Sequence, residues 1–312
     1  MQLLILGAGG IGGYYGARIQ QAGHEVTFMV RPARAEQLRT HGLKIKSPVG
    51  NFQCAPRIVT AGDQLNGQYD AIFLSCKAYD LESALAAIEP AAGPETLIVP
   101  FLNGVRHLEI LDGCFGKARV LGGLAFVSLN LEPDGEIRHL STFHRLMIGT
   151  RTSPPSPWLA PLVDLLNTTP VEFSLADDIE QEMWNKFVYI CTLAGTTCAM
   201  RAHVGEILAT KTGKAFITGL LQECAEVAGA SGHAPAAEQL ATYRNGLIDP
   251  KSTLAASMLR DIERGGPTEG DHLLGDMFRR GQQAGIATPR LEFAWTHLQT
   301  YEHKRRHHRL AS

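Results

Sequence analysis

No two of the six cysteines stand two residues apart, which removes zinc ribbons and thioredoxin-like redox motifs at the outset. Their scatter over Cys54, Cys76, Cys114, Cys191, Cys198 and Cys224 outlines no disulfide framework either. Cys54, Cys76 and Cys191 sit among apolar neighbours, the setting of buried free thiols. The twelve histidines form no metal-ligand set, and none stands out as a base. Excess charge is also missing: a formal balance of −2 gives no general pull toward nucleic acid or an anionic lipid surface. The one local exception, His303 to Arg309, reads as a solvated, frayed terminus. No apolar run approaches the roughly 20 residues of a membrane span. The first residues carry neither the basic region nor the cleavage site of a secretion signal. The expectation is a reduced, cytoplasmic protein with no metal, no nucleic acid and no membrane partner.

What is present begins within a few residues of the start. Leu3-Leu4-Ile5-Leu6 reads as a buried parallel strand, too short for a helix and rich in large aliphatics. Gly7-Ala8-Gly9-Gly10-Ile11-Gly12 follows at once, then helical spacing from Ile11 to Ala22 that stops at Gly23. A second strand, Val26 to Val30, completes a β-α-β unit. In that context G-x-G-x-x-G points to a dinucleotide. Gly7 allows the tight turn, Gly9 a close approach of pyrophosphate, and Gly12 close packing of helix on strand. Free N–H groups at the helix start face the phosphates.

The second strand ends in Arg31, nineteen residues after Gly12, where an NAD-binding unit usually places a carboxylate. An arginine there offers the planar fork that a 2′-phosphate prefers, with Arg34 one turn on to assist. The expected cofactor is therefore NADP(H) rather than NAD(H).

A length of 312 residues suggests about two domains. The first half alternates strand-like and helix-like segments. These are a helix over 33–41 capped by Gly42, short strands at 43–46 and 52–55, and apolar strands at 71–75 and 97–101, each of the last two followed by a helix. Val120 to Val127 is expected to continue the sheet, with Gly122-Gly123 allowing a close neighbour. After the proline-rich break at 150–161, a helix over 158–167 and a strand at 171–173 close the pattern. From Asp177 helical periodicity takes over, opened by Asp177, Asp178 and Glu180. Further helices are expected over 210–230, 236–245, 253–264, 272–284 and 290–304. The fold class is a Rossmann-type, mostly parallel sheet domain at 1–174 followed by an all-α domain at 175–312, with the cleft between them as the default active site.

Ligands of open α/β sheets bind beyond the carboxyl ends of the strands. Lys77 and Asn103 both fall there, although an exposed loop lysine and ordinary Asn-Gly turn chemistry explain each one alone. Lys186 is sharper. It lies in an otherwise apolar helix among Met183, Trp184, Phe187, Val188, Ile190 and Cys191. Lost solvation there lowers the pKa of an ammonium and eases proton donation, which carbonyl reduction requires. Glu269 is placed either to orient that lysine or a substrate hydroxyl, or simply to complement a helix start.

Taken together, Gly7 to Gly12, Arg31, Lys77, Asn103-Gly104, Trp184-Asn185-Lys186, Ser257-Met258-Leu259-Arg260-Asp261 and Thr268-Glu269 resemble the ketopantoate reductase (2-dehydropantoate 2-reductase) family, in that family's order over nearly the whole chain. The resemblance implies NADPH-dependent reduction of a 2-oxo acid, with Lys186 as general acid and Lys77 and Asn103 touching cofactor and substrate. It further implies that Ser257 binds substrate, that Glu269 holds cofactor or the reacting hydroxyl, and that Ala125 touches the cofactor. An apolar helical domain of this kind is compatible with a homodimer. Three family asparagines are replaced here, by Ile190, Ala194 and Val204, and Gly195 stands in place of a proline. Removing amides that read a polar substrate removes their discrimination, so the implied substrate is a less polar oxo compound, with ketopantoate second. Two alternatives stay open: an NADP-dependent dehydrogenase of another hydroxy or opine-like substrate, and a non-catalytic NADP-binding redox sensor.

Overall fold

The structure, a computed structural model, describes residues 1–63, 65 and 69–310. It divides into two compact units. The first comprises Met1–Leu102 and His107–Ile179, and the second Asn103–Arg106 and Glu180–Ser312.

In the first unit, β1 (Leu3–Leu6), β2 (Val26–Met29), β5 (Arg57–Val59), β6 (Ala71–Leu74) and β7 (Leu97–Pro100) form an all-parallel sheet in the order β5-β2-β1-β6-β7. That is the doubly wound order, with β1 at the centre and the switch point beside it. Every residue of β1, β2, β6 and β7 is buried, as strands covered on both faces must be. Helix α1 (Gly10–Gln21) lies on this sheet so closely that a Cβ on Gly16 would fall 2.5 Å from Phe28 and 2.6 Å from Ile5. Gly23, at φ +88°, ends it as expected. Helices α2 (Pro32–His41), α3 (Leu81–Ile88) and α4 (Arg106–Phe115) follow their strands.

A second sheet covers the other side of α1. Strand β9 (Ile137–Gly149) pairs antiparallel with β8 (Gly122–Leu131), and on its far edge takes β10 (Glu172–Leu175) and β3 (Leu43–Lys46) in parallel. β4 (Phe52–Cys54) completes it against β3. This corrects the expectation for 120–127. Val120 alone extends the first sheet, by a parallel bridge to Ile98, and the chain from Gly122 turns into the hairpin. Gly123 is the close neighbour foreseen, since a Cβ there would lie 2.4 Å from the Pro100 carbonyl oxygen. Tyr15 donates to the Arg145 carbonyl at 3.0 Å, tying α1 to β9. Helix α5 (Leu159–Asn167) buries Leu159, Leu162, Leu165 and Leu166 against the same core.

The second unit is helical: α6 (Ile179–Met200), α7 (Val204–Leu208), α8 (Gly213–Ala230), α9 (Ala237–Leu247), α10 (Ser257–Glu263), a π-helical turn (Asp271–Gly275), α11 (Asp276–Gln283) and α12 (Pro289–Leu310). Helix α6 is its axis, with Phe187, Val188, Cys191, Ala194 and Cys198 fully enclosed. A Cβ on Gly195 would meet Leu220 of α8 at 2.8 Å, and Ala294 of α12 and Leu274 at 3.5 Å, so three elements converge there. Glu223 of α8, a buried carboxylate, accepts from the backbone N–H of Arg290 (3.0 Å) and Leu291 (2.9 Å), and pairs with the Arg290 guanidinium at 2.9 Å. It anchors the start of α12. Among the described residues no helix is long and apolar enough to cross a membrane, and no group of His, Cys, Asp and Glu could hold a metal ion. Cys191, Cys198 and Cys224 are buried free thiols. Cys54 and Cys76 are only partly covered, because each stands at or beyond the end of a strand rather than within a core.

Candidate active site

The glycine loop of the first unit joins β1 to α1, at the carboxyl end of the sheet. Gly7 sits at φ +94°, a conformation a side chain strains to adopt, and its N–H donates to the Met29 carbonyl at 2.9 Å. Ser75, just past β6, donates to the Leu6 carbonyl at 2.9 Å and presses its hydroxyl on Gly12. A Cβ at Gly12 would lie 2.2 Å from both Ser75 Oγ and the Gly7 carbonyl oxygen. Gly9 behaves differently. It caps α1, and a Cβ there would meet no atom within 4 Å. Protein packing therefore gives no reason for glycine at that point, whereas a phosphate resting on the loop does. The first turn of α1 holds no acidic residue. Gly7, Ala8, Gly9, Gly10, Ile11 and Gly12 thus form an arrangement that fits a dinucleotide pyrophosphate.

Two arginines flank the loop with different duties. Arg31, at the start of α2, is the exposed one, with 73% of its side chain accessible, and it pairs with Asp80 at 2.7 Å. Arg34 is half-buried: its Nε donates to the Ala8 carbonyl at 3.0 Å and its two terminal nitrogens to the Gly135 carbonyl at 3.2 Å each. Gln37 donates to the Pro133 carbonyl at 3.1 Å beside it. Arg34 clamps the glycine loop to the β8–β9 turn, and this corrects the expectation that it assists at the phosphate. Lys77 opens the short 3₁₀ turn Ala78–Asp80 after β6, as placed from sequence. Ala125 is a buried core residue in the middle of β8, opposite Leu146.

In the second unit Lys186 is half-buried on α6, and loss of solvation pushes its ammonium down to about 8. Asn185 beside it is buried and accepts from Gln181 Nε2 at 3.0 Å, fixing that turn of the helix. Ser257 is the first residue of α10 and exposed, while Glu269 is buried just before the π-helical turn. Asn103 belongs to this unit, and its carbonyl accepts from His272 Nε2 at 3.0 Å. Burial lowers the pKa of His272, with Glu269 and Asp276 pulling the other way. Asn103, Glu269 and His272 therefore share one locality. His272 escaped the sequence reading because nothing marks a single histidine inside an amphipathic stretch. The π-helical geometry, common at functional sites, is visible only in the fold. Of the three positions where the resemblance implied amides, Ala194 and Val204 are sealed in the helical core and Ile190 is half-buried. Two surface grooves, one lined by Leu38, Gly42, Gln53 and Cys54 and one by Met1, His24, Trp158 and Leu165, include no residue of the glycine loop.

Comparison with known proteins gives a concordant result. The family model described as ketopantoate reductase PanE/ApbA matches residues 3–153, and its C-terminal counterpart matches residues 178–302. The chain is 37% identical over 304 residues to the uncharacterized oxidoreductase YkpB of Bacillus subtilis, covering 97% of this chain and 99% of the relative. It is similar to the solved 2-dehydropantoate 2-reductase of Geobacter metallireducens, with a TM-score of 0.87 at 27% identity over 96% of this chain and 99% of that one. A D-mandelate dehydrogenase solved with NADH and anilino(oxo)acetate shares the fold, with a TM-score of 0.89 at 23% identity over 98% and 100% of the two chains.

Proposed function

The chain belongs to the ketopantoate reductase family and is a nicotinamide-dependent oxidoreductase of hydroxy or oxo acids, and from that premise we propose that it reduces a 2-oxo acid to the 2-hydroxy acid with NADPH. The single observation that carries the reading is Lys186, a partly desolvated ammonium on the central helix with a pKa pushed down to about 8. A nicotinamide dinucleotide held at the glycine loop would supply hydride to the substrate carbonyl carbon. Lys186 Nζ holds the proton that the carbonyl oxygen takes up as negative charge develops on it. A donor whose pKa lies near working pH is both protonated and ready to release its proton.

The other residues bind and orient. Gly7 shapes the turn, the start of α1 from Gly9 to Gly12 would receive the pyrophosphate on its N–H groups, and Arg31 and Lys77 supply positive charge on the cofactor edge. Ser257 and Asn103 offer a hydroxyl and an amide to the substrate, and Glu269 accepts from the hydroxyl formed. Ala194 and Val204, being enclosed, offer a substrate nothing, and Ile190 offers only hydrocarbon. Ile190, one turn after Lys186 on α6, presents no group that rewards a polar substituent on a ligand there. The substrate is accordingly a 2-oxo acid less polar than ketopantoate.

The test follows reduced-nicotinamide absorbance against a panel of 2-oxo acids that includes ketopantoate. Turnover on apolar-substituted 2-oxo acids is expected. High kcat/KM on ketopantoate would overturn the substrate assignment. Silence across the panel, with dinucleotide still bound, would overturn the catalytic reading in favour of a nucleotide sensor.

A further inference from the structure

Asp80 stands at the N-cap of α3, where an aspartate ordinarily accepts from the first free N–H groups of its helix. It makes no such bond. Its backbone is set by the 3₁₀ turn, with its N–H donating to the Lys77 carbonyl at 2.9 Å and its own carbonyl accepting from Ser83 Oγ at 2.9 Å. The carboxylate turns instead to Arg31, with Oδ1 2.7 Å from a terminal guanidinium nitrogen. Two segments from opposite sides of the central strand thus meet at Arg31, two residues past β2.

That meeting has a consequence for cofactor choice, and it rests on the dinucleotide reading of this unit. The position after β2 is where a Rossmann unit reads the adenosine ribose. An arginine alone at that point favours a 2′-phosphate, and a carboxylate alone favours a 2′-hydroxyl and repels the phosphate. Here both are present and paired. A 2′-phosphate arriving at Arg31 either displaces Asp80 from the guanidinium or binds beside its negative charge. A free 2′-hydroxyl meets neither difficulty and finds in Asp80 an acceptor. Asp80 is the anion that faces Arg31, and its hydrogen bond and charge hold the guanidinium above its usual range.

We propose that Asp80 is a specificity-determining residue that holds back the 2′-phosphorylated dinucleotide, narrowing the preference that Arg31 creates so that the chain binds NADH as well as NADPH. Because the pair is largely exposed, with 73% and 30% of the two side chains accessible, solvent screens it and the effect is moderate.

The experiment titrates the intact protein with NADPH and with NADH by nicotinamide and tryptophan fluorescence, so that no turnover is required. Asp80→Asn is expected to tighten NADPH about five- to tenfold, the size of a screened like-charge contact, and to leave NADH no tighter. Asp80→Ser gives the same direction without an amide. Asp80→Glu, which keeps the charge, is expected to leave NADPH affinity within about twofold of the unaltered protein, which separates charge from a general loosening of the loop. Equal tightening of both dinucleotides by Asp80→Asn, or the same NADPH gain from Asp80→Glu, would overturn this inference alone. Failure of the unaltered protein to bind either dinucleotide would overturn the cofactor reading and this inference with it.

Discussion

The sheet unit presents its chemistry through backbone, and the helical unit presents its chemistry through side chains. In the first, the groups aimed at a ligand are N–H groups at the start of α1, and the residue types around them are set by space. Gly7 needs its positive φ, Gly12 has a carbonyl oxygen where a Cβ would go, and Gly9 keeps its surface open. In the second, Lys186 has the same atoms as every other lysine, and its lowered pKa comes from what α6 is packed among. A backbone site leaves its mark on the sequence as glycine at fixed spacing, because no other residue fits. A side-chain site leaves only a residue type, and its chemistry is conferred by neighbours.

Substitutions that strike one mode and spare the other sharpen this contrast. The largest effect is expected for Lys186→Met, which lowers kcat by about 10³ for lost proton donation while the dinucleotide Kd changes less than about twofold. Activity of the unaltered enzyme falls as pH rises through about 8, because the ammonium loses its proton, and the variant lacks that limb. Steady-state rates and a fluorescence titration check both. Equal loss of binding and turnover would break the contrast.

Gly12→Ala strikes the backbone mode. Its methyl would lie 2.2 Å from the Gly7 carbonyl oxygen and Ser75 Oγ, so loop and helix must separate. Dinucleotide binding is expected to be lost, with about 3 kcal/mol of stability removed as overpacking, read by urea denaturation. Glu223→Gln touches neither mode. It weakens the anchor on Arg290 and Leu291 by about 2 kcal/mol, the worth of hydrogen bonds to a buried charge. Dinucleotide affinity stays unchanged. A fall in affinity would mean that the two modes are not separable.

Legibility followed the same division. The opening β-α-β unit lies within about one residue of its expected bounds, because buried parallel strands and a glycine-rich turn are local signals. In the second sheet β3, β4, β8 and β10 were expected as strands, but β9, which joins them into a separate sheet, was missed. Along β9 the inward positions include His139, which is buried, while Leu140 and Phe143 face outward, so the alternation that marks a half-buried strand is scrambled. β5 and α7, three and five residues long, carry too little pattern to register. In the site, Gly7 to Gly12, Arg31, Lys77 and Lys186 were readable by type and place. Asp80, Arg34 and His272 were not, since each acquires its part through a partner distant in the chain.

By itself the sequence determined the dinucleotide-binding fold, the helical second half and the candidate proton donor, because period, glycine spacing and apolar context act over a turn or two of chain. Only the tertiary structure decided that Arg34 braces the loop, that Asp80 shares Arg31, and that Ala194 and Val204 are enclosed in the helical core. Those outcomes depend on which surfaces meet. Hydrogen bonds and ion pairs fall off within a few ångströms, so the residue that claims a guanidinium is chosen by packing rather than by sequence distance.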